Sequence, residues 1–345
     1  MTEPASTTSR MSSAPAVSSG TTRSARTAEF VLRKPESTIA LAGLALALYF
    51  TLSNDAFLTT DNVQIISQYA IPVAILAVGQ TMLLVCGELD LSMGAVYFMA
   101  PFILYFADDA GLPLPVGIVL ALLGAGVVGA INGAITIAFG IPSFIVTLGT
   151  LLAVGGFTLN ISDGFPKRAP TGGVAVDIFG AAKFSGFAWV VAITIVMHVI
   201  LTRTRWGVYT VAAGGNPTGA REAGVPANRI RARNFVVASM LAGFAGMIEG
   251  IRIGSFDPGA AVSGQKVFDA VAAAVIGGTL LTGGSGTVIG AFLGALVLAI
   301  LRDGFIIDGV SAYTFNLVIG SAIIVAMILN VLATRARASL RKAGS

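Results

Sequence analysis

The chemistry open to this chain rests on a few polar side chains set in long apolar runs. Glu88 and Asp90 stand two apart in Gly87-Glu88-Leu89-Asp90-Leu91-Ser92, where two apolar stretches meet. A carboxylate at the centre of a bilayer costs about 2.5–3.5 kcal/mol on insertion scales, so one that is truly central is there for a function. At the boundary of a span the same group reaches water and serves topology or docking. The charge pattern places this pair at a boundary, and Asp90 and Ser92 are also candidates for gating. Glu249 is the better candidate for a buried role, although Arg252 three residues on is spaced to pair with it. Gln80, Asn132, Thr147, Asn160 and Asn316 complete the polar candidates for a solute pathway. Each of them could instead hydrogen-bond between helices.

Other chemistries find no support. The chain has no Gly-x-x-x-x-Gly-Lys-[Ser/Thr] loop, so it does not cradle ATP phosphates in that way. Dinucleotide fingerprints, zinc-ligand spacings and nucleophile elbows are also missing, and no catalytic residue, metal or cofactor is expected. The single histidine, His198, has no second histidine to share a metal with. The single cysteine, Cys86, rules out an intrachain disulfide and reads as a small buried residue.

Composition says what must hold these residues. The 345-residue chain is 55% hydrophobic and only 11% charged, and its mean hydropathy is +0.86. Soluble domains carry roughly 25% charged residues, and a deficit of this size has one common cause, which is lipid. The net charge of +4 is no nucleic-acid signal, because the basic residues fall between apolar stretches rather than beside aromatics. An all-α integral membrane protein is expected. It divides into a disordered cytoplasmic tail over 1–35, a polytopic transmembrane domain over 36–334 and a basic cytoplasmic tail over 335–345. The start lacks a small-residue cleavage site after a short apolar core and does not read as a signal peptide.

Uncharged runs of bilayer length give about ten transmembrane helices. They fall at 37–54, 62–87, 91–107, two within 110–162, 184–202, 234–251, two short pieces within 270–301, and 309–334. Gly140-Ile141-Pro142 breaks the 110–162 run. Gly283-Gly284-Ser285-Gly286 breaks 270–301, which either crosses as two pieces or dips in and returns. Gly286, Gly290 and Gly294 are spaced to share one helix face, suited to packing within the bundle or to a subunit interface.

The positive-inside rule orients the bundle. With the N-terminus inside, the cytoplasmic side holds Arg10, Arg23, Arg26, Arg33, Lys34, Arg203, Arg205, Arg221, Arg229, Arg231, Arg233, Arg335, Arg337, Arg341 and Lys342. Only Lys167, Arg168, Lys183, Arg252, Lys266 and Arg302 then lie outside, so both termini are expected in the cytoplasm. The largest hydrophilic insert on that side is the loop 203–233. Within it Asn216 is an N-cap candidate, Pro217 suits a first turn and Gly224 a stop. A helix of about two turns is too short to stand alone in water, so it docks on its own bundle or on another protein.

Four stretches in order carry a family resemblance. Gly214-Gly215-Asn216-Pro217-Thr218-Gly219-Ala220-Arg221-Glu222-Ala223-Gly224-Val225 resembles the cytoplasmic coupling loop of ribose-type permeases of ABC importers. Leu89-Asp90-Leu91-Ser92-Met93-Gly94 resembles that family's Ile-Asp-Leu-Ser-Val-Gly, and Ile141-Pro142-Ser143-Phe144-Ile145-Val146-Thr147-Leu148-Gly149-Thr150 its Ile-Pro-Pro-Phe-Ile-Val-Thr-Leu-Gly-Thr. The run from Asp269 to Thr279, with the glycines at 283, 284 and 286, resembles its Gly-rich region. The matches span roughly residues 40–330. Glu88 departs from the family's Gly, and Val267 from its Glu.

The resemblance implies a permease subunit that admits a monosaccharide or sugar-like solute to the cytoplasm by alternating access, in the bacterial cytoplasmic (inner) membrane. It implies ATP and Mg on a separate ABC ATPase subunit that grips the coupling helix through Gly215, Asn216, Pro217, Ala220, Arg221, Glu222 and Gly224. A second permease copy or homologue, an extracytoplasmic solute-binding protein and a re-entrant pair at 270–301 are implied with it. The alternatives are an ion-coupled secondary transporter, a membrane structural or receptor subunit, or the same ABC machinery carrying an amino acid, nucleoside or inositol. Ion coupling wants acids near mid-membrane, and here the acids are expected at span ends.

Overall fold

The computed structural model describes residues 35–311 and, beyond them, 314, 316–318, 320, 321, 324, 325 and 328. Both terminal tails and most of the span expected over 309–334 lie outside the described residues. Helices α1 (Pro35–Ser53), α2 (Thr60–Val85), α3 (Met93–Asp109), α4 (Leu114–Phe139) and α5 (Ser143–Ile161) follow one another through short turns. A connection containing strand β1 (Lys167–Arg168) leads to α6 (Ser185–Arg203), α7 (Arg205–Gly215), the short α8 (Pro217–Glu222) and the long α9 (Ala227–Ile253). Strand β2 (Ser255–Phe256), α10 (Gln265–Ile276) and α11 (Val288–Ile307) complete the described core. The expected break after α4 occurs as Gly140 in the left-handed region (φ 65°), followed by Pro142 at the start of α5.

Among the described residues seven helices are long and apolar enough to cross a membrane: α1, α2, α4, α5, α6, α9 and α11. The expected span at 91–107 is the 17-residue α3, about 26 Å long and at the short end of the range that spans a bilayer. The expected pieces of 270–301 are the 12-residue α10 and the 20-residue α11.

The bundle is organised around α2. Of its most apolar window 89% is buried, against 11% for α1 and 22% for α5. It packs against α6, α9, α10 and α11, while α9 packs against α3 and α4 on its other side. A helix that is apolar all round fits only such a central position. One core cluster joins Ile75 and Leu76 of α2, Val96 and Tyr97 of α3, Phe235 and Ile248 of α9 and the alanines of α10.

The pieces α10 and α11 turn back on each other. Gly277 meets Gly290 backbone to backbone, and Gly294 meets the carbonyl of Ala273, so the two helices run antiparallel in close contact. The turn between them reaches the end of α2, where the Gly284 N–H donates to the Val85 carbonyl at 2.8 Å. Gly286 lies in that turn ahead of α11, so the three glycines do not share a helix face. All three pack inside the bundle, Gly286 against Thr279 and Val85.

At the far end of α9, β1 pairs antiparallel with β2, Lys167 opposite Phe256. This ties the α5–α6 and α9–α10 connections together. Near the start of α2, the Asn62 amide donates to Asp303 of α11 at 2.7 Å, and both residues are buried.

Candidate functional site

Five of the sequence's pathway candidates converge on one unwound stretch, residues 86–92 between α2 and α3. Gln80, Asp90, Ser92, Asn132 and Thr147 are each 0% exposed. Because this segment is neither helix nor paired strand, its backbone groups need side-chain partners. Thr147 accepts from the Leu91 N–H at 3.0 Å, and Ser143 from the Leu89 N–H at 3.1 Å. With its nitrogen toward Asp90, the Gln80 amide donates to the Asp90 carbonyl at 3.2 Å and accepts from the Asp90 N–H at 3.3 Å. Asp90 itself takes the Ser92 N–H and hydroxyl at 2.8 and 2.6 Å. Asn132 donates to Ser92 at 2.8 Å and accepts from Thr150 at 2.7 Å, which brings in α4 and α5. Ser239 of α9 reaches the second Asp90 oxygen at 3.5 Å.

The acid pair therefore differs from the boundary expectation, since neither carboxylate reaches water freely. Asp90 is held by hydroxyls and N–H groups, while Glu88, 7% exposed, faces Arg231 with 3.2 Å between Oε1 and Nε. Ser143, Thr150 and Ser239 were not picked out from the sequence. A hydroxyl on an apolar helix usually bonds its own backbone, and nothing in the chain order ties these three to residue 90. Breaking the Glu88–Arg231 pair should cost on the order of 1–3 kcal/mol, between the exposed and buried limits. Glu88→Arg should lower the melting temperature of the detergent-solubilised protein, and Arg231→Glu added to it should restore most of the loss. A double variant no better than its parents would mean that the pair does not interact.

The arginine-rich end carries the expected short helix as α8. The Asn216 side chain accepts from the Gly219 N–H at 2.9 Å. Gly224 stops the helix in the left-handed region (φ 74°), and the Val225 N–H reaches back to the Ala220 carbonyl at 2.9 Å. Ala220 is buried against the bundle, whereas Gly215, Asn216, Pro217, Arg221, Glu222 and Gly224 are exposed. The helix is thus pinned by one face and open on the other.

What lies beneath α8 was less visible from the chain. Trp206 of α7 donates to the Asn234 side chain at 2.7 Å, and the Asn234 amide donates to the Met82 carbonyl of α2 at 3.1 Å. Gly214 and Gly215, at the end of α7, abut Val85 and the 283–284 turn. A displacement of α8 therefore bears, through α7, on the foot of α2, beside the unwound segment.

The remaining candidates lie apart from this knot. Glu249 accepts from both Nε and Nη2 of Arg252 at 2.9 Å, so the expected pairing exists, and Arg252 also donates to Gln68 at 3.0 Å. Glu249 also lines a cavity of about 280 Å³ with Tyr97, Phe98, Ser255, Asp257 and Lys266. Asn316 lines a second cavity, of about 250 Å³, with Gln265, Asp269, Arg302 and Ser311. Asn160 is exposed near the end of α5, on a face with Gly149 and Gly156 that nothing among the described residues covers. Val267, in place of the family's Glu, packs in the core against Gly94. Among the described residues no cluster of three or more metal-ligating side chains occurs.

Comparison with known proteins agrees with this architecture. The xylose/arabinose import permease protein of Sulfolobus acidocaldarius is 37% identical over 323 residues, covering 90% of this chain and 89% of the relative. The ribose import permease protein of Escherichia coli K12 is 32% identical over 306 residues, covering 86% of this chain and 93% of the relative. The autoinducer 2 import system permease protein of Photorhabdus luminescens is 31% identical over 297 residues, covering 86% and 89%. No solved structure matches the chain. These relatives are transporter permease subunits and not enzymes, and the ribose-type resemblance drawn from the four motifs holds. Because the model of the branched-chain amino acid transport system / permease component family matches residues 62–327, within the same stretch that these permeases share, the protein belongs to that family.

Proposed function

We propose that this chain is the membrane-embedded permease subunit of an ATP-driven importer that carries a monosaccharide, and a pentose before others, into the cytoplasm by alternating access. The observation that carries the reading is the 37% identity to a xylose/arabinose permease across 90% of the chain. The arginine-rich end faces the cytoplasm with both termini, on the positive-inside count, and the bundle completes about ten spans in the bacterial cytoplasmic membrane. ATP and Mg are handled by a separate ATPase, which grips the exposed side of α8 at Asn216, Pro217, Arg221, Glu222 and Gly224. Its motion passes through α7 and the Trp206–Asn234–Met82 contacts to α2 and the 86–92 segment. A second permease copy or homologue completes the pathway, and a loaded solute-binding protein docks at the opposite end, on the 252–269 connection.

The test is uptake of labelled xylose, arabinose, ribose and galactose by cells with and without the gene. Arg221→Glu reverses an exposed charge on α8, and Gly224→Pro demands a negative φ where the chain needs a positive one. Both variants should cut uptake at least about tenfold at normal membrane levels, the effect of losing roughly 1.4 kcal/mol of contact with the ATPase. Uptake that ignores both changes and follows an ion gradient would favour a secondary transporter.

A further inference from the structure

We propose that the cavity between α3, α9, the 254–264 connection and the start of α10 is a solute subsite within the permease itself, suited to a neutral polyhydroxylated ring of monosaccharide size. The proposal rests on the sugar-import reading above and adds where selectivity is checked after the solute arrives. Tyr97 and Phe98, edge to face at 4.9 Å, give the cavity an aromatic wall. The C–H face of a sugar ring packs well on such a surface. The volume of about 280 Å³ holds at least about nine waters at roughly 30 Å³ each. A monosaccharide ring fits within that room.

The polar groups narrow the class. Glu249 spends one acceptor site of each oxygen on Arg252, which leaves lone pairs on a carboxylate already fixed in place. The Lys266 ammonium sits 5.6 Å from the Tyr97 ring centroid and offers three donors. Asp257 uses one oxygen to accept from the Gly259 N–H at 2.8 Å and keeps the other, and Ser255 adds a hydroxyl beside it. Fixed acceptors facing fixed donors suit hydroxyls, which do both. The charges also balance, with Glu249 and Asp257 against Arg252 and Lys266. A sugar phosphate would want a basic excess. A neutral polyol meets no uncompensated charge.

The experiment is competitive uptake of an equal mixture of labelled xylose, arabinose and ribose by the complete importer, with Asp257→Asn, Ser255→Ala and Lys266→Met variants. The expected result is a shift of about fivefold or more in the ratio of sugars imported, the effect of one hydrogen bond lost from one sugar and not another. Impaired docking of a binding protein, or a loosened fold, would slow every sugar by one factor. A uniform change, or none, in variants present at normal membrane levels overturns the subsite while leaving the import reading intact. A wild type that imports none of the three sinks the import reading and the subsite with it. Should Lys266→Met fail to accumulate, Asp257→Asn and Ser255→Ala carry the test.

Discussion

Gln80→Met should lower the stability of the solubilised protein by about 2–6 kcal/mol. The side chain is fully buried and serves both the N–H and the carbonyl of Asp90. Methionine fills similar space and offers neither a donor nor a good acceptor, so both backbone groups lose their partner in the interior. An unsatisfied buried group costs about 1–3 kcal/mol, and there are two. Thermal survival on size-exclusion chromatography, before and after a temperature ramp, gives the measurement. Gln80→Glu is the sharper companion, since it keeps an acceptor, removes the donor and adds a charge with no basic partner in the knot. A Gln80→Met protein as heat-stable as the wild type would mean that residues 86–92 do not lie against α2 as described.

Gly294→Ala should be as damaging, and its contrast with Gly156→Ala is the decisive comparison. Glycine to alanine ordinarily favours a helix by about 1 kcal/mol. At Gly156, where an added methyl meets nothing within 4 Å, that preference should prevail and the protein should accumulate normally. At Gly294 the same methyl would fall on the carbonyl oxygen of Ala273. The two arms of the α10–α11 hairpin would have to separate, and overpacking of this kind costs about 1–3 kcal/mol or more. Because the hairpin turn also bonds the Val85 carbonyl, the damage should spread to the foot of α2. Membrane levels and sugar uptake of both variants decide the matter. Equal behaviour of the two would show that the close approach of α10 and α11 is not required.

The chain alone gave up most of the span list, because a bilayer demands long uncharged runs and breaks show as Gly, Pro or charge. The edges of α1, α2, α4, α5 and α6 lie within a few residues of those runs. The short helix α8 was legible for a local reason: an N-cap, a proline and a stop glycine are read within one short stretch. Less legible were the starts of α3 and α10, which lie beside one another inside the protein. Gly94 of α3 lies against Val267 of α10, a contact between residues 173 apart in sequence.

The polar side chains divide the same way. That Gln80, Asp90, Ser92, Asn132 and Thr147 are buried in an apolar setting follows from their neighbours in the chain. That they serve one unwound segment does not, since α2, α3, α4 and α5 must first assemble around it. The Glu249–Arg252 pair was visible at a spacing of three residues, whereas the cavity it borders exists only once α3, the 254–264 connection and the start of α10 close over α9. Hydropathy and helix caps are written in local order, so the sequence by itself determined a polytopic helical membrane protein and the position of its exposed short helix α8. Hydrogen bonds across 50 to 150 residues, and the fit of a glycine against a carbonyl, depend on distances that only the packed bundle creates. The tertiary structure alone therefore decided which polar residues are locked into the scaffold and which are left to line a cavity.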